Sequence, residues 1–341
     1  MLNNSTKVMF YMTLVGGILL TTSSNSWVGA WMGLEINLLS FIPIMTNNEN
    51  MYNTEASMKY FLIQVLASSL LLFVIMTLTM KEKTQLISKL YNHSILMMIP
   101  LLLKSGAAPL HWWFPSVMEG LSWMNCLILM TLQKIAPMIL MNNIITTNHQ
   151  MMLIIMTSII IGALGGLNQT SLRKLLAYSS INHMGWLLMT LMISNSLWLT
   201  YMATYILLVI TMVAIINTTK ISFINQLFNI TYSPYLKFIM FSGLLSLAGL
   251  PPFTGFFPKW ITIQFMISNN LIIMPTLMIV FSLITLYYYL RISYSAFLIG
   301  HMKTSWNMNL YYNKNIMMNS MLITLSTMGM MLLSVPMTFH I

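Results

Sequence analysis

Long apolar stretches, divided by short polar turns, run through this chain from close to its first residue. Most are about 17–25 residues long, which is what an α-helix needs to cross a bilayer. No period-two alternation runs through them, so a membrane barrel is excluded. The pattern predicts about eleven spans, near 7–22, 27–45, 56–80, 94–110, 121–142, 149–168, 172–194, 197–218, 237–267, 274–298 and 317–338. Polar turn material such as Thr21-Thr22-Ser23-Ser24-Asn25-Ser26 and Thr46-Asn47-Asn48-Glu49-Asn50 separates them. The ninth span is too long for one straight crossing. It holds Pro251, Pro252, Gly255 and Pro258, so two half-helices with a break are expected there.

A second stretch of the same kind lies earlier. Gly106-Ala107-Ala108-Pro109-Leu110-His111-Trp112-Trp113-Phe114-Pro115 aligns with Gly249-Leu250-Pro251-Pro252-Phe253-Thr254-Gly255-Phe256-Phe257-Pro258. The glycine, the second proline, a phenylalanine and the final proline fall in register. The two spans are five apart and so cross in opposite directions. Gly/Pro-interrupted segments at matching places in two inverted halves point to a transport site. The organisation predicted is one membrane domain, 1–341. It comprises N-terminal helices over 1–55, a first repeat near 56–168, a second, inverted repeat near 172–298, and a C-terminal helix at 317–338.

Composition agrees with a chain that lives in lipid. Only 6% of residues are charged and 57% are hydrophobic, whereas a soluble domain carries about 25% charged residues. The net charge of +10 comes from basic residues scattered singly, with no basic run, so a nucleic-acid partner is not expected. Single cations instead pin short loops to one side of a membrane. With an odd number of spans, Lys7, Lys59, Arg173, Lys174, Lys220, Lys237, Arg291, Lys303 and Lys314 gather on the N-terminal side. Lys81, Lys83 and Lys89 fall on the other. The N-terminus is therefore expected on the cytoplasmic or matrix-equivalent side. The one cysteine, Cys126, excludes an intrachain disulfide and a four-cysteine metal or iron–sulfur site.

Against this background four ionisable residues stand out: Glu35, Lys104, Lys134 and Lys259, each inside an apolar run. A charge at the bilayer centre costs roughly 2.5–3.5 kcal/mol on insertion scales. Lys104 lies about ten residues into its span, roughly 15 Å deep, just before Gly106 and Pro109. Lys134 is about thirteen residues into the fifth span. Pro137 follows it and leaves the Gln133 carbonyl without its usual donor, marking another expected helix break. Lys259 follows the Pro251-Pro252 break. Glu35 is the one acid placed deep in a span, and pairing it with Lys104 would couple their protonation states. His183, in Ser179-Ser180-Ile181-Asn182-His183-Met184-Gly185-Trp186, could bridge the lysines or could serve as a structural hydrogen-bonder. His93, His111, His149, His301 and His340 lie near span ends and read as interfacial. Static buried ion pairs are the competing reading for the charges. No metal site, paired haem histidines, phosphate-binding loop or dinucleotide fingerprint is present.

Several long segments resemble the chain 2 family of mitochondrial NADH:ubiquinone oxidoreductase, respiratory complex I. They are Trp27 to Leu38, Leu103-Lys104-Ser105-Gly106-Ala107-Ala108-Pro109, Gln133-Lys134-Ile135-Ala136-Pro137, Gly165 to Trp186, and Gly249 to Trp260. The loop 81–93 and the region after about 300 match poorly. The resemblance implies an all-α integral membrane protein with an inverted-repeat antiporter-like fold, broken near Pro109 and Pro251-Pro252. It implies proton translocation through a Glu35, Lys104, Lys134, Lys259 relay, driven by NADH oxidation and ubiquinone reduction in neighbouring chains. No redox cofactor is expected in this chain. FMN, iron–sulfur clusters, NADH and ubiquinone belong to the assembled complex. The implied partners are other membrane-arm subunits and phospholipids. The implied location is the mitochondrial inner membrane, with the N-terminus in the matrix and the C-terminus in the intermembrane space. A stand-alone cation/proton antiporter and a purely structural spacer remain the alternatives.

Overall fold

A computed structural model describes residues 4–46, 50–84, 93–145, 149–228 and 234–299. Fourteen helical segments make up nearly all of these residues. They are α1 (Asn4–Ser23), α2 (Trp27–Met45), α3 (Met51–Thr84), α4 (His93–Ser105), α5 (Trp113–Gly120), α6 (Trp123–Met130) and α7 (Leu132–Asn142). There follow α8 (His149–Gly166), α9 (Leu172–Ile193), α10 (Asn195–Thr219), α11 (Ile224–Phe228), α12 (Pro234–Ala248), α13 (Phe256–Ser268) and α14 (Ile273–Ile299). Among the described residues the extended structure is one isolated antiparallel bridge, Ser171 to Phe223.

Each of the first ten predicted spans coincides with a helix or a pair of helices, and the eleventh, 317–338, lies outside the described residues. Six helical stretches are long and apolar enough to cross a membrane on their own. Helix α9 is not among them, because its sequence carries Ser179, Ser180, Asn182, His183 and Thr190. All five are buried, which is how a membrane helix accommodates polar side chains: it turns them to protein and leaves the apolar helices to lipid. Starts are set locally in the ordinary way. The Ser26 hydroxyl accepts from the Gly29 N–H at 3.2 Å at the head of α2, and Ser194 caps α10 through the Leu197 N–H at 3.4 Å.

The chain divides into two compact units, residues 1–154 and 155–341. In the first, α1 packs along α2, α3 contacts α2, α4 and α5, and α7 contacts α1, α2 and α4. Helices α1 and α2 approach closely at Gly33, where an added Cβ would lie 2.6 Å from Thr21 Cγ2. In the second, α10 contacts α9, α12 and α13, and α14 contacts α9, α11, α12 and α13.

Both expected helix breaks near Pro109 and Pro251-Pro252 are present, and their backbones follow one pattern. Helix α4 stops before Gly106 (φ +72) and α12 before Gly249 (φ +84). In the first, the Gly106 N–H reaches the Leu103 carbonyl at 3.3 Å and the Ala107 N–H the Leu102 carbonyl at 3.2 Å. In the second, Gly249 reaches Ser246 at 3.1 Å and Leu250 reaches Leu245 at 3.3 Å. Both are Schellman caps, which need a left-handed residue that glycine supplies without strain. The next helix begins seven residues beyond the glycine in each case, at Trp113 and at Phe256.

The break expected at Pro137 lies elsewhere. Pro137 sits inside α7, and the interruption is at Thr131, between α6 and α7. A proline ring clashes with the carbonyl four residues back, so the strain falls on the turn before it. Thr131 is where that turn opens, its hydroxyl donating to the Leu127 carbonyl at 2.7 Å.

Candidate functional site

In the first unit, Lys104 occupies the last turn of α4, two residues before the Gly106 cap. It is 6% exposed, and its Nζ makes no hydrogen bond with a described residue. Its own carbonyl accepts from Gln64 Nε2 on α3 at 3.4 Å. The neighbouring Leu103 carbonyl accepts the indole N–H of Trp113 at 3.1 Å. The open end of α4 is thus tied down by two side chains, one from α3 and one from beyond the break.

Glu35 on α2 is half-buried. Its Oε1 accepts from Ser68 Oγ at 2.9 Å, a hydroxyl shared with the Val65 carbonyl, while Oε2 is buried with no hydrogen-bond partner among the described residues. The Ser68 carbonyl in turn accepts from Trp31 Nε1 at 3.1 Å. The contact ion pair expected between Glu35 and Lys104 does not form, because Ser68 on α3 takes the carboxylate instead. Any interaction between the two groups is through space, in surroundings of low dielectric that leave it poorly screened.

Lys134 lies on α7 at 2% exposure, with Nζ 4.9 Å from the centroid of the Phe114 ring. An ammonium over an aromatic face is attracted by the ring quadrupole. The same ring packs under Gly106, where an added Cβ would meet Phe114 Cδ2 at 3.2 Å. Phe114 therefore links the first break to Lys134. The side-chain amide of the neighbouring Gln133 is engaged elsewhere. Its Nε2 donates to Asn37 Oδ1 at 3.0 Å and its Oε1 accepts from Tyr60 Oη at 3.3 Å. Asn37, Tyr60, Gln64, Lys104 and Gln133 line a cavity of about 10 Å³, the size of a single water.

In the second unit, Lys259 lies in the first turn of α13, 7% exposed. Its Nζ donates to the Ala248 carbonyl at 2.9 Å. That carbonyl ends α12, where the helix dipole presents its negative pole. The ammonium also faces the Trp186 ring at 5.9 Å. His183, one turn before Trp186 on α9, places Nδ1 3.0 Å from Tyr201 Oη, with the Tyr205 ring centroid at 5.2 Å.

Sequence reading missed the supporting polar groups: Ser68, Gln64, Asn37, Tyr60 and the Trp113 indole. None has a spacing signal, since each comes from a helix distant in sequence. His111 reads from the sequence as lying near a span end. The side chain lies in the first break, 8% exposed, with Nδ1 3.2 Å from the Pro109 carbonyl.

These features define a class: an antiporter-like membrane subunit, with lysines at or beside interrupted helices and a carboxylate within electrostatic reach of one of them. The family described as "NADH:quinone oxidoreductase/Mrp antiporter, TM" matches residues 24–285, and the chain belongs to it. It is 49% identical over 326 residues to "NADH-ubiquinone oxidoreductase chain 2" of Anopheles gambiae, covering 94% of each chain. Among solved structures it resembles a chain of respiratory complex I from Thermus thermophilus, with TM-score 0.80 and 24% identity over 95% of this chain and 78% of that one. It also resembles a chain of the Mrp complex from Dietzia sp., with TM-score 0.73 and 18% identity over 84% and 59%.

Proposed function

We propose that this chain is a membrane-arm subunit of respiratory complex I in the mitochondrial inner membrane, and that it moves protons as NADH is oxidised and ubiquinone reduced elsewhere in the complex. Glu35, Lys104, Lys134 and Lys259 are the relay, with His183 as an intermediate station. The observation that carries this is the shared architecture of the two breaks: each has a glycine-capped helix end with a buried lysine at it, Lys104 within the last turn of α4 and Lys259 reaching the end of α12 from the first turn of α13. A static structural role would favour saturated ion pairs; instead Lys104 Nζ and Glu35 Oε2 are both buried without a hydrogen bond to a described residue. Buried charges left this way cost stability and suit groups whose charge changes during work.

The mechanism follows from Coulomb interaction in a medium of low dielectric. When Glu35 takes a proton, Lys104 loses a stabilising negative neighbour. Its own proton then becomes easier to release, and the change in charge is felt at the next site. Lys259 holds its proton against the Ala248 carbonyl, an acceptor that stabilises the charged amine. A proton leaves when that balance is tipped.

We further propose that electron chemistry, with FMN and iron–sulfur clusters, belongs to other chains. One cysteine in the sequence cannot ligate a cluster alone. The N-terminus lies in the matrix and the C-terminus in the intermembrane space, as the distribution of cations supports. Phospholipid covers the exposed apolar faces, such as Leu62, Leu66 and Phe73 on α3. The test is Lys134→Met in the assembled complex. Protons pumped per NADH oxidised should fall, with the complex intact on a native gel. Unchanged pumping would reduce Lys134 to a packing residue.

A further inference from the structure

Arg291 lines a cavity of about 560 Å³ in the second unit, with Asn168, Gln169, Thr170, Asn225 and Tyr288 among its walls. The frame of this cavity is set by backbone. The turn between α8 and α9 is bound to the segment entering α11 by two hydrogen bonds, Leu172 N–H to the Ser222 carbonyl and Ile224 N–H to the Thr170 carbonyl, both 3.0 Å. From α14, Tyr288 packs on Gly166, another lining residue. A Cβ added to Gly166 would lie 3.1 Å from Tyr288 Cζ, the carbon that bears the hydroxyl.

Two observations point to an anion as the occupant. Tyr288 is 2% exposed, and its Oη is buried with no hydrogen-bond partner among the described residues. A donor placed so lacks an acceptor. No carboxylate side chain of the second unit can supply one. All five acids of the sequence, Glu35, Glu49, Glu55, Glu82 and Glu119, precede residue 155. Gln169 turns its amide to the Gly165 carbonyl at 3.1 Å, while Asn168, Thr170 and Asn225 bring further donors to the walls.

A third observation selects the kind of anion. Val280, Leu283, Tyr287, Leu290 and Tyr294 on α14 are all exposed. Spaced three and four apart, they make one stripe along the helix. Arg291 lies four residues after Tyr287 and three before Tyr294, so it neighbours both at the end of that stripe. Exposed tyrosines of this kind mark the membrane–water interface, the depth of a lipid headgroup.

We infer that the cavity receives the phosphate of an anionic phospholipid whose acyl chains lie along the exposed stripe of α14. The guanidinium fork of Arg291 grips the phosphate, and the Tyr288 hydroxyl donates a further hydrogen bond. Basic pockets between membrane helices hold such headgroups. A choline or ethanolamine headgroup is disfavoured, because no acid of this unit would pair with its cation. The inference adds a headgroup site to the lipid-covered faces, and it stands whether or not the relay does.

The experiment uses the intact membrane assembly that contains this chain, exchanged in detergent into phosphatidylglycerol with a photoreactive group beside the phosphate. Adducts formed on illumination are mapped by mass spectrometry. They should fall on residues 166–170 and 287–294. Arg291→Gln should lower labelling of 166–170 roughly ten-fold, the loss of one charged contact. Tyr288→Phe, which keeps the ring, should lower it roughly three-fold. The matching phosphatidylcholine probe should label the stripe and spare 166–170. Equal labelling of 166–170 by both probes would overturn the inference, as would undiminished labelling in Tyr288→Phe and Arg291→Gln. Should Arg291→Gln fail to assemble on a native gel, Tyr288→Phe and the choline comparison decide. Displacement of the probe by inorganic phosphate would overturn the lipid as occupant and assign the site to a soluble anion. No labelling at 166–170 by either probe would overturn it in favour of a neighbouring chain.

Discussion

Ser68 is the one side chain seen to hold Glu35, and removing it tests whether that carboxylate is charged at rest. A hydrogen bond to a charged group contributes about 1.5–3 kcal/mol, and a neutral one about 1. Ser68→Ala should therefore lower the thermal stability of the detergent-solubilised complex by about 1.5–3 kcal/mol if Glu35 is ionised. A loss under about 1 kcal/mol would mark it as protonated. Gly249 is the second residue-scale case. Its left-handed backbone costs a non-glycine residue about 1–2 kcal/mol, and a Cβ there would lie 3.1 Å from Lys259 Nζ. Gly249→Ala should destabilise the complex by that amount and depress pumping, read from a thermal melt and from dye quenching. The four charges were legible in the sequence because a charge in an apolar run has no background to hide in. Ser68, Asn37 and Tyr60 were not, because serine, asparagine and tyrosine are common in membrane helices and only their three-dimensional neighbours distinguish them.

At the scale of elements, the glycine–proline breaks could be read in advance. Gly106 and Gly249 mark left-handed caps, and the prolines beyond them prevent the helix from resuming at once. The opening at Thr131 could not be read the same way, since no glycine or proline occupies it and its cause lies six residues later. That relation makes a prediction. Pro137→Ala restores an N–H to bond the Gln133 carbonyl and removes a ring clash, a local cost of about 3 kcal/mol. Helices α6 and α7 should then merge, shown by slowed hydrogen exchange at the amides around Thr131. The Lys134 ammonium should shift off the Phe114 ring. Helix α9 gives the opposite lesson. Its hydropathy alone understates it, because a helix enclosed by protein can carry serine, asparagine and histidine that lipid would reject.

For the whole molecule, the decisive question is company. A subunit of a large respiratory assembly should co-migrate with NADH dehydrogenase activity in one large band on a native gel of mildly solubilised membranes. Migration as a small separate species would favour the stand-alone antiporter reading. Fold class and family were open to sequence reading because span length and the long motifs around Glu35, Lys104 and Lys259 are set by the bilayer and by the breaks. The expected span at 317–338 lies outside the described residues, and the other ten coincide with helices.

The bond between Lys259 and the end of α12 has a bearing on what this protein transports. The carbonyl end of a half-helix is where sodium-coupled transporters seat their metal ion. Here that seat is taken by an ammonium that is covalently part of the chain. A tethered cation cannot be carried across, and it repels any free one that approaches. The one thing it can surrender is its proton. On the relay reading, selectivity against sodium and potassium then needs no filter of measured width: it follows from an occupant that never leaves.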